Sequence, residues 1–292
     1  MNRLLSCLLS LVAAPFIWAQ SGILWHNPAN GELSVWQSKN AIVESKSALS
    51  WKCDTPSGCA SSWRVIGTGR FDGDAAYDIG WYNTRTGEVS FWIQTAGTVT
   101  RKVTLDWKCP ADCARDWQPV AVADFNLDGH ADVLWHNATS GELSAWLLNG
   151  REAVLGKKAL SWRCDLASGC ARSWKVVGAG DFDGNGQADL LWHNPADGQL
   201  SAWLLRQGEV TGKHSLDWKC DRASGCSTQW KPFGVGDSNR DGSPDVFWFN
   251  PGTGQVSAWL VDGFQVSGKN DLDWKCTRES GCQRDWRLVA VM

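Results

Sequence analysis

Four tryptophans recur at a fixed period along this chain, and they do so five times. The first set is Trp25, Trp81, Trp135, Trp192 and Trp248, spaced by 56, 54, 57 and 56 residues. A second set lies eleven residues further on in every copy: Trp36, Trp92, Trp146, Trp203 and Trp259. A third (Trp51, Trp107, Trp162, Trp218, Trp274) and a fourth (Trp63, Trp117, Trp174, Trp230, Trp286) bracket a pair of cysteines. These sets account for all of the 21 tryptophans except Trp18. Self-similarity at such a period means a repeat architecture, in which each unit buries its apolar face against the next.

Each unit reads as four short strands. In the fourth copy, residues 174–178 form the first and residues 189–194 the second. A Gly-containing turn then leads to the apolar run 199–205, and 209–218 completes the unit. Four strands per repeat is the pattern of a propeller blade. After its first residues the chain enters at a second strand, 23–27, and it stops just after a first strand, 286–292. The expected fold is therefore all-β: a five-bladed β-propeller with four-stranded blades, closed by pairing of N- and C-terminal strands in one blade. An open solenoid is the alternative, and it would leave unpaired edges at both ends.

The N-terminus reads as a secretory signal over residues 1–19. Arg3 supplies a positive start, 4–17 is mostly apolar but too short to span a bilayer, and Ala19 offers a cleavage point. Residues 20–292 are then one propeller domain of five repeats of about 55 residues. Cleavage removes Cys7, taking eleven cysteines to ten, and Arg3, taking the net charge from −3 to −4. No later segment is apolar enough to cross a membrane, and the charge gives no field that would favour nucleic acid. Secretion to an extracellular or periplasmic space is expected.

Between the first and second strands lie loops with oxygen-bearing side chains at positions 1, 3, 5 and 9 and Gly at 6. They are Asp124, Asn126, Asp128 and Asp132; Asp181, Asp183, Asn185 and Asp189; and Asp237, Asn239, Asp241 and Asp245. A hard cation such as Ca²⁺ needs six to eight oxygens about one point. Position 12 of the middle loop is Trp192, not the Glu of an EF-hand, and a strand follows instead of a helix. The second copy departs: Arg70 stands at position 1 and Ala75 at position 6, so no metal, or only weak binding, is expected there. The competing reading is that Asp, Asn and Gly simply favour turns.

The run 177–186 (Val-Gly-Ala-Gly-Asp-Phe-Asp-Gly-Asn-Gly), with the strand entry 188–192, resembles the FG-GAP/VCBS repeats, the calcium-loop propeller repeats also found in integrin α-subunit heads. The resemblance covers nearly everything after the first twenty residues. It implies a calcium-bound propeller, with about three structural Ca²⁺ sites here.

Ten cysteines fall one pair per repeat: Cys53 and Cys59, Cys109 and Cys113, Cys164 and Cys170, Cys220 and Cys226, Cys276 and Cys282. Five local disulfides are expected, each stapling the link between blades. Zinc would want pairs grouped in fours, and redox catalysis a single C-x-x-C motif.

Other slots argue against catalysis. His26, His136 and His193 share a slot with Tyr82 and Phe249, so it needs a flat ring. Glu32, Glu88 and Glu142 share one with Gln199 and Gln255, which fits hydrogen bonding and not acid chemistry. Asn27, Asn83, Asn137, Asn194 and Asn250 are identical in all copies, as are Ser34, Ser90, Ser144, Ser201 and Ser257. They read as turn caps and tight packing, or as a repeated pocket. The expectation is a non-enzymatic, multivalent, lectin-like carbohydrate-binding module. Trp36, Trp92, Trp146, Trp203 and Trp259 are its candidate sugar-stacking residues, since some propeller lectins resemble this organisation. A surface protein as partner, in an adhesion or protein-interaction module, is the alternative. A polysaccharide-active enzyme is disfavoured by the uniform repeat length.

Overall fold

In the computed structural model the described residues are 22–150, 153–165, 167 and 169–292. The expected signal, with Cys7 and Trp18, lies outside them. Five four-stranded antiparallel sheets stand in a ring as blades. In the fourth blade the strands run outward as Lys175–Gly180, Asp189–His193, Leu200–Arg206 and Glu209–Ser215. The first blade is the composite one. Its innermost strand, Arg287–Val291, pairs with Gly22–His26, followed by Leu33–Lys39 and Ile42–Ala48. Gly22 and Met292 exchange backbone hydrogen bonds of 3.2 and 2.7 Å, which seals the ring.

Burial follows position in the blade. The two middle strands are apolar on both faces because each face packs on a neighbouring blade; the strand Asp189–His193 is buried throughout. The outermost strands alternate or face water, as in Glu209–Ser215. Five apolar clusters result, each drawing on two adjacent blades, so the core sits in the seams. Each innermost strand carries a β-bulge against its neighbour. These strands line an axial channel of about 430 Å³.

All five disulfides form in the expected pairs. Their loops contain something periodicity does not reveal. Each closes with a single helical turn: Cys59–Ser62, Ala111–Asp116, Cys170–Ser173, Cys226–Gln229 and Cys282–Asp285. One turn is too short to show a 3.6-residue pattern. The loop also docks on the hairpin turn of its own blade. Cys220 donates its backbone N–H to the Gly198 carbonyl at 3.0 Å, and the other four first cysteines do the same to their turn glycines.

Between blades a second staple repeats. Ser50, Asp106, Ser161, Asp217 and Asp273 each stand just before a third-set Trp. Each accepts a backbone N–H of the next blade at 2.8–3.3 Å, four from the outermost strand and one, to Asp106, from Val154 just before it.

Candidate functional site

The four tryptophan sets separate by depth. The first set is 0–1 % exposed and packs on the second set of the same blade at ring separations of 4.3–4.7 Å. The second set, the expected stacking surface, is only 4–5 % exposed. Those rings do not present an open face, and Trp259 walls a pocket at its seam. The open faces belong to the third set, which is 36–48 % exposed. Each third-set indole crosses to the next blade and meets its second-set ring edge-on, at 4.3–6.4 Å.

Into the corner between the two rings a lysine inserts from the outermost strand. Lys46, Lys102, Lys157, Lys213 and Lys269 place Nζ 3.7–4.5 Å from the second-set centroid and 2.6–3.7 Å from the third-set centroid. Strand pairing sets each lysine directly opposite the second-set Trp. Burial draws all five ammonium groups below their ordinary pKa, Lys213 and Lys269 to about 8. The indole faces oppose that by favouring the cation. The sequence held a signal for this group. A lysine follows every second-set Trp by ten residues, eleven in the third copy. Nothing in the sequence said that the third-set ring would reach it.

Between the fourth and fifth blades the corner opens into a pocket of about 270 Å³. Trp218, Trp259 and Lys269 wall it, with Ser257, Asp271 and Gln229 as polar lining. The concavity joins aromatic faces to a few polar groups, as ligand sites do.

The slots read as turn caps behave so. Asn27, Asn83, Asn137, Asn194 and Asn250 accept backbone N–H groups of the following turn. Ser90 and Ser257 donate to carbonyls of the outermost strand. Gln199 and Gln255 bridge carbonyls, and Glu32 and Glu142 pair with Lys52 and Arg163. The ring slot has a geometric cause. His26, Tyr82, His136, His193 and Phe249 each lie at right angles to the first-set Trp of the next blade, at 5.6–6.0 Å. Those indole N–H groups are buried without an oxygen or nitrogen acceptor among the described residues, and a ring face is the acceptor such a donor can use. Burial lowers the pKa of all three histidines, His193 to about 4 with help from Lys231.

At the ion loops, position 9 has a second role. The carboxylates of Asp78, Asp132, Asp189 and Asp245 are fully buried. Each accepts one N–H from loop position 2 and one from the third strand, or for Asp132 from Leu148 just after it, at 2.7–3.0 Å. The residue thus ties loop to sheet, and burial pushes it up to about 7, 7, 6 and 6 respectively. In the fourth loop Asp181, Asp183 and Asp189 present oxygens all within 4.8 Å of one another. It is the one such acidic trio among the described residues. In the third and fifth loops the Asn126 amide donates to Asp128 and the Asn239 amide to Asp241. In the second loop the Arg70 guanidinium lies 5.7 Å from the Tyr77 ring centroid.

No protein-family model matches the chain, and no curated protein matches it. Among solved structures it is similar to a lectin from Agrocybe aegerita that recognises non-reducing terminal N-acetylglucosamine. That pair is 13 % identical, covers 92 % of this chain and 84 % of the lectin, and has a TM-score of 0.53. It is also similar to the β-propeller domain of Cps50 (Swd1) from Myceliophteria thermophila (9 % identity, 84 % and 66 % covered, TM-score 0.36). A third similar structure is the WD40 domain of Toxoplasma gondii coronin (12 %, 87 % and 57 %, 0.34). At these identities the likeness is one of fold.

Proposed function

We propose that the protein is a secreted, non-enzymatic carbohydrate-binding propeller that holds sugar residues at its five inter-blade seams. The observation that carries this reading is the third tryptophan set. Five indoles are 36–48 % exposed, each at the same place beside a polar corner. Large apolar rings held in water at a repeated position mark an interaction surface. An indole face suits the apolar face of a sugar ring, and the neighbouring Ser, Gln, Asp and Lys groups suit its hydroxyls. The lectin with the similar fold supports the ligand class. Weak sites repeated on a rigid ring gain avidity against dense glycans.

Secretion is supported by the five disulfides, which persist in oxidising compartments, and no helix of the described residues is long and apolar enough to cross a membrane. The fourth loop fits calcium best, with Asp181, Asp183 and Asp189 converging and the Asn185 Oδ1, which accepts the Gln187 N–H, as the fourth side-chain oxygen of the loop. Asp124, Asn126, Asp128 and Asp132, and Asp237, Asn239, Asp241 and Asp245, would hold the ion once each Asn–Asp bond opens. The second loop does not fit, because it offers a guanidinium where the first carboxylate belongs. The ion would neutralise the carboxylates and fix the loop, which keeps the resemblance to FG-GAP/VCBS repeats as part of this proposal.

A glycan array run with calcium and with chelator tests the reading. Binding to a defined glycan set is expected, at several equivalents per chain. No binding by a folded, calcium-loaded sample would sink it in favour of a protein partner.

A further inference from the structure

The five seams are alike in their rings and unlike in their charge, and this rests on the carbohydrate reading above. Three positions flank each lysine. One is the seam staple just before the third-set Trp. The second, which lines the pocket as Gln229, lies just before the fourth-set Trp. The third, which lines it as Asp271, pairs across the strands with the repeated Ser.

Between the first and second blades these positions are Ser50, Ser62 and Thr104. Between the third and fourth they are Ser161, Ser173 and Ser215. Neither seam has a carboxylate at any of the three. The other seams all do. Asp106 and Asp116 flank Lys157, Asp217 and Asp271 flank Lys269, and Asp273 and Asp285 flank Lys46. The Asp273 carboxylate offsets part of the burial effect on Lys46, whereas burial alone lowers Lys102, Lys157, Lys213 and Lys269; the Lys269 seam is set apart by Asp271, which lines its pocket. Asp221 does not line the pocket; it accepts the Ser224 N–H of its own disulfide loop, as Asp54 does that of Ser57.

Two seams therefore present an ammonium group, two indole faces and only hydroxyls. Lys102 and Lys213 are exposed, but each is seated against two indole faces with no carboxylate paired to it among the described residues, and such a cation can take an anion through a charge-assisted hydrogen bond, stronger than a neutral one. In the other three seams a ligand anion would meet a fixed carboxylate.

We propose that the seams between blades one and two and between blades three and four bind the anionic group of an acidic sugar through Lys102 and Lys213, while the remaining three seams take uncharged sugars. The sugar ring stacks on Trp51 or Trp162, and its carboxylate or sulfate reaches the ammonium.

The test is calorimetric titration of the disulfide-intact protein with an oligogalacturonide, a sulfated oligosaccharide and a neutral chito-oligosaccharide, at fixed ionic strength. Acidic ligand binding at two sites per chain is expected, and whichever acid binds identifies the anionic group. Lys102→Met and Lys213→Met keep the stem over the indoles and remove the charge. Each should weaken the acidic ligand about tenfold at one site, and Lys→Arg should restore it. Ser215→Asp copies the carboxylate of the fifth blade into the Lys213 seam, so it should abolish acidic binding there without a folding penalty. Thermal melts confirm that each variant is folded. Acidic binding unaffected by the Met variants, or spread equally over five sites, overturns the assignment and leaves the carbohydrate reading standing. Failure of all three sugars to bind removes both.

Discussion

Gly198 and Gly225 offer a controlled experiment on what holds the binding corner in place. Both have left-handed backbone, with φ of +78° and +76°. They differ in surroundings. A Cβ on Gly198 would lie 1.9 Å from the Cys220 carbonyl oxygen and 2.2 Å from its carbon, whereas a Cβ on Gly225 meets nothing within 4 Å. Alanine costs about 1–2 kcal/mol at either site for the left-handed conformation alone. At Gly198 the disulfide loop must also move off the hairpin. That adds about 1–3 kcal/mol of overpacking and weakens the hydrogen bond from Cys220 to Gly198, worth about 1 kcal/mol. Gly198→Ala should therefore cost roughly 2–4 kcal/mol more than Gly225→Ala. Urea unfolding of both variants, with unchanged m-values, reads the difference from the midpoints. The displaced loop starts two residues after Trp218, so Gly198→Ala should also weaken sugar binding at that seam. Equal costs for the two variants would refute the claim that hairpin and disulfide loop form one packed unit.

Trp162→Ala should lower affinity at its seam about thirtyfold, the loss typical of a stacking anchor, while Trp203→Ala should mainly lower the melting temperature; titration and calorimetric melting separate the two. Reduction of the five disulfides should remove about 2 kcal/mol per ring in the chain-entropy model, enough in sum to unfold the domain, as circular dichroism in dithiothreitol would show. His193→Phe should cost under about 1.5 kcal/mol because the slot already accepts Phe249, whereas His193→Ala should cost about 3 kcal/mol. His193 has its pKa lowered from 6.5 to about 4 on folding, so the unfolded chain takes up the proton first. Taken alone, His193 should contribute about 3 kcal/mol less stability at pH 4 than at pH 6.5, opposite in sign to Asp78, Asp132, Asp189 and Asp245, whose raised pKa values favour the folded state as pH falls; the difference between the denaturation curves of the wild type and His193→Phe across this range would report the histidine's share. Chelation should lower the melting temperature, by the equivalent of about 2.7 kcal/mol for a site at a hundredfold excess of calcium over its Kd. Asp181→Ala should reduce the effect, and Asp72→Ala should leave it unchanged.

Much of this molecule was readable from the repeat. The period gave the blades, the offset of the first and last strands gave the closing sheet, and one cysteine pair per unit gave the disulfides. Identity across copies also separated ring slots from catalytic ones: a position that accepts His, Tyr and Phe needs only a flat face, and the structure supplies the perpendicular indole it meets. Depth was not readable. The second- and third-set tryptophans are equally invariant, yet one set is buried at the seam and the other is 36–48 % exposed. Which face of a blade meets its neighbour depends on the turn of the disulfide loop, and its single helical turn leaves no periodic trace. The position-9 aspartates were read as ligands, and their part as staples was not legible, because their partners are backbone N–H groups on another strand.

The same separation explains why a near-identical repeat can still discriminate. A seam needs its two indoles, its lysine stem and its turn glycine to pack, so those positions cannot drift. The seam staple at Ser50 and its counterparts contribute a hydrogen bond that Ser and Asp both satisfy, and the slot of Thr104 is Ala48 and Ala159 in two other copies. The seam staple shows this directly, because Ser161 and Asp217 accept the same backbone N–H at 2.9 and 2.8 Å. Exchange between hydroxyl and carboxylate there leaves the fold intact while changing the local charge by one unit. A carboxylate beside the ammonium turns an anion site into a neutral one at almost no structural cost. On the proposal above, variation at these positions alters what a seam binds and not whether the seam forms.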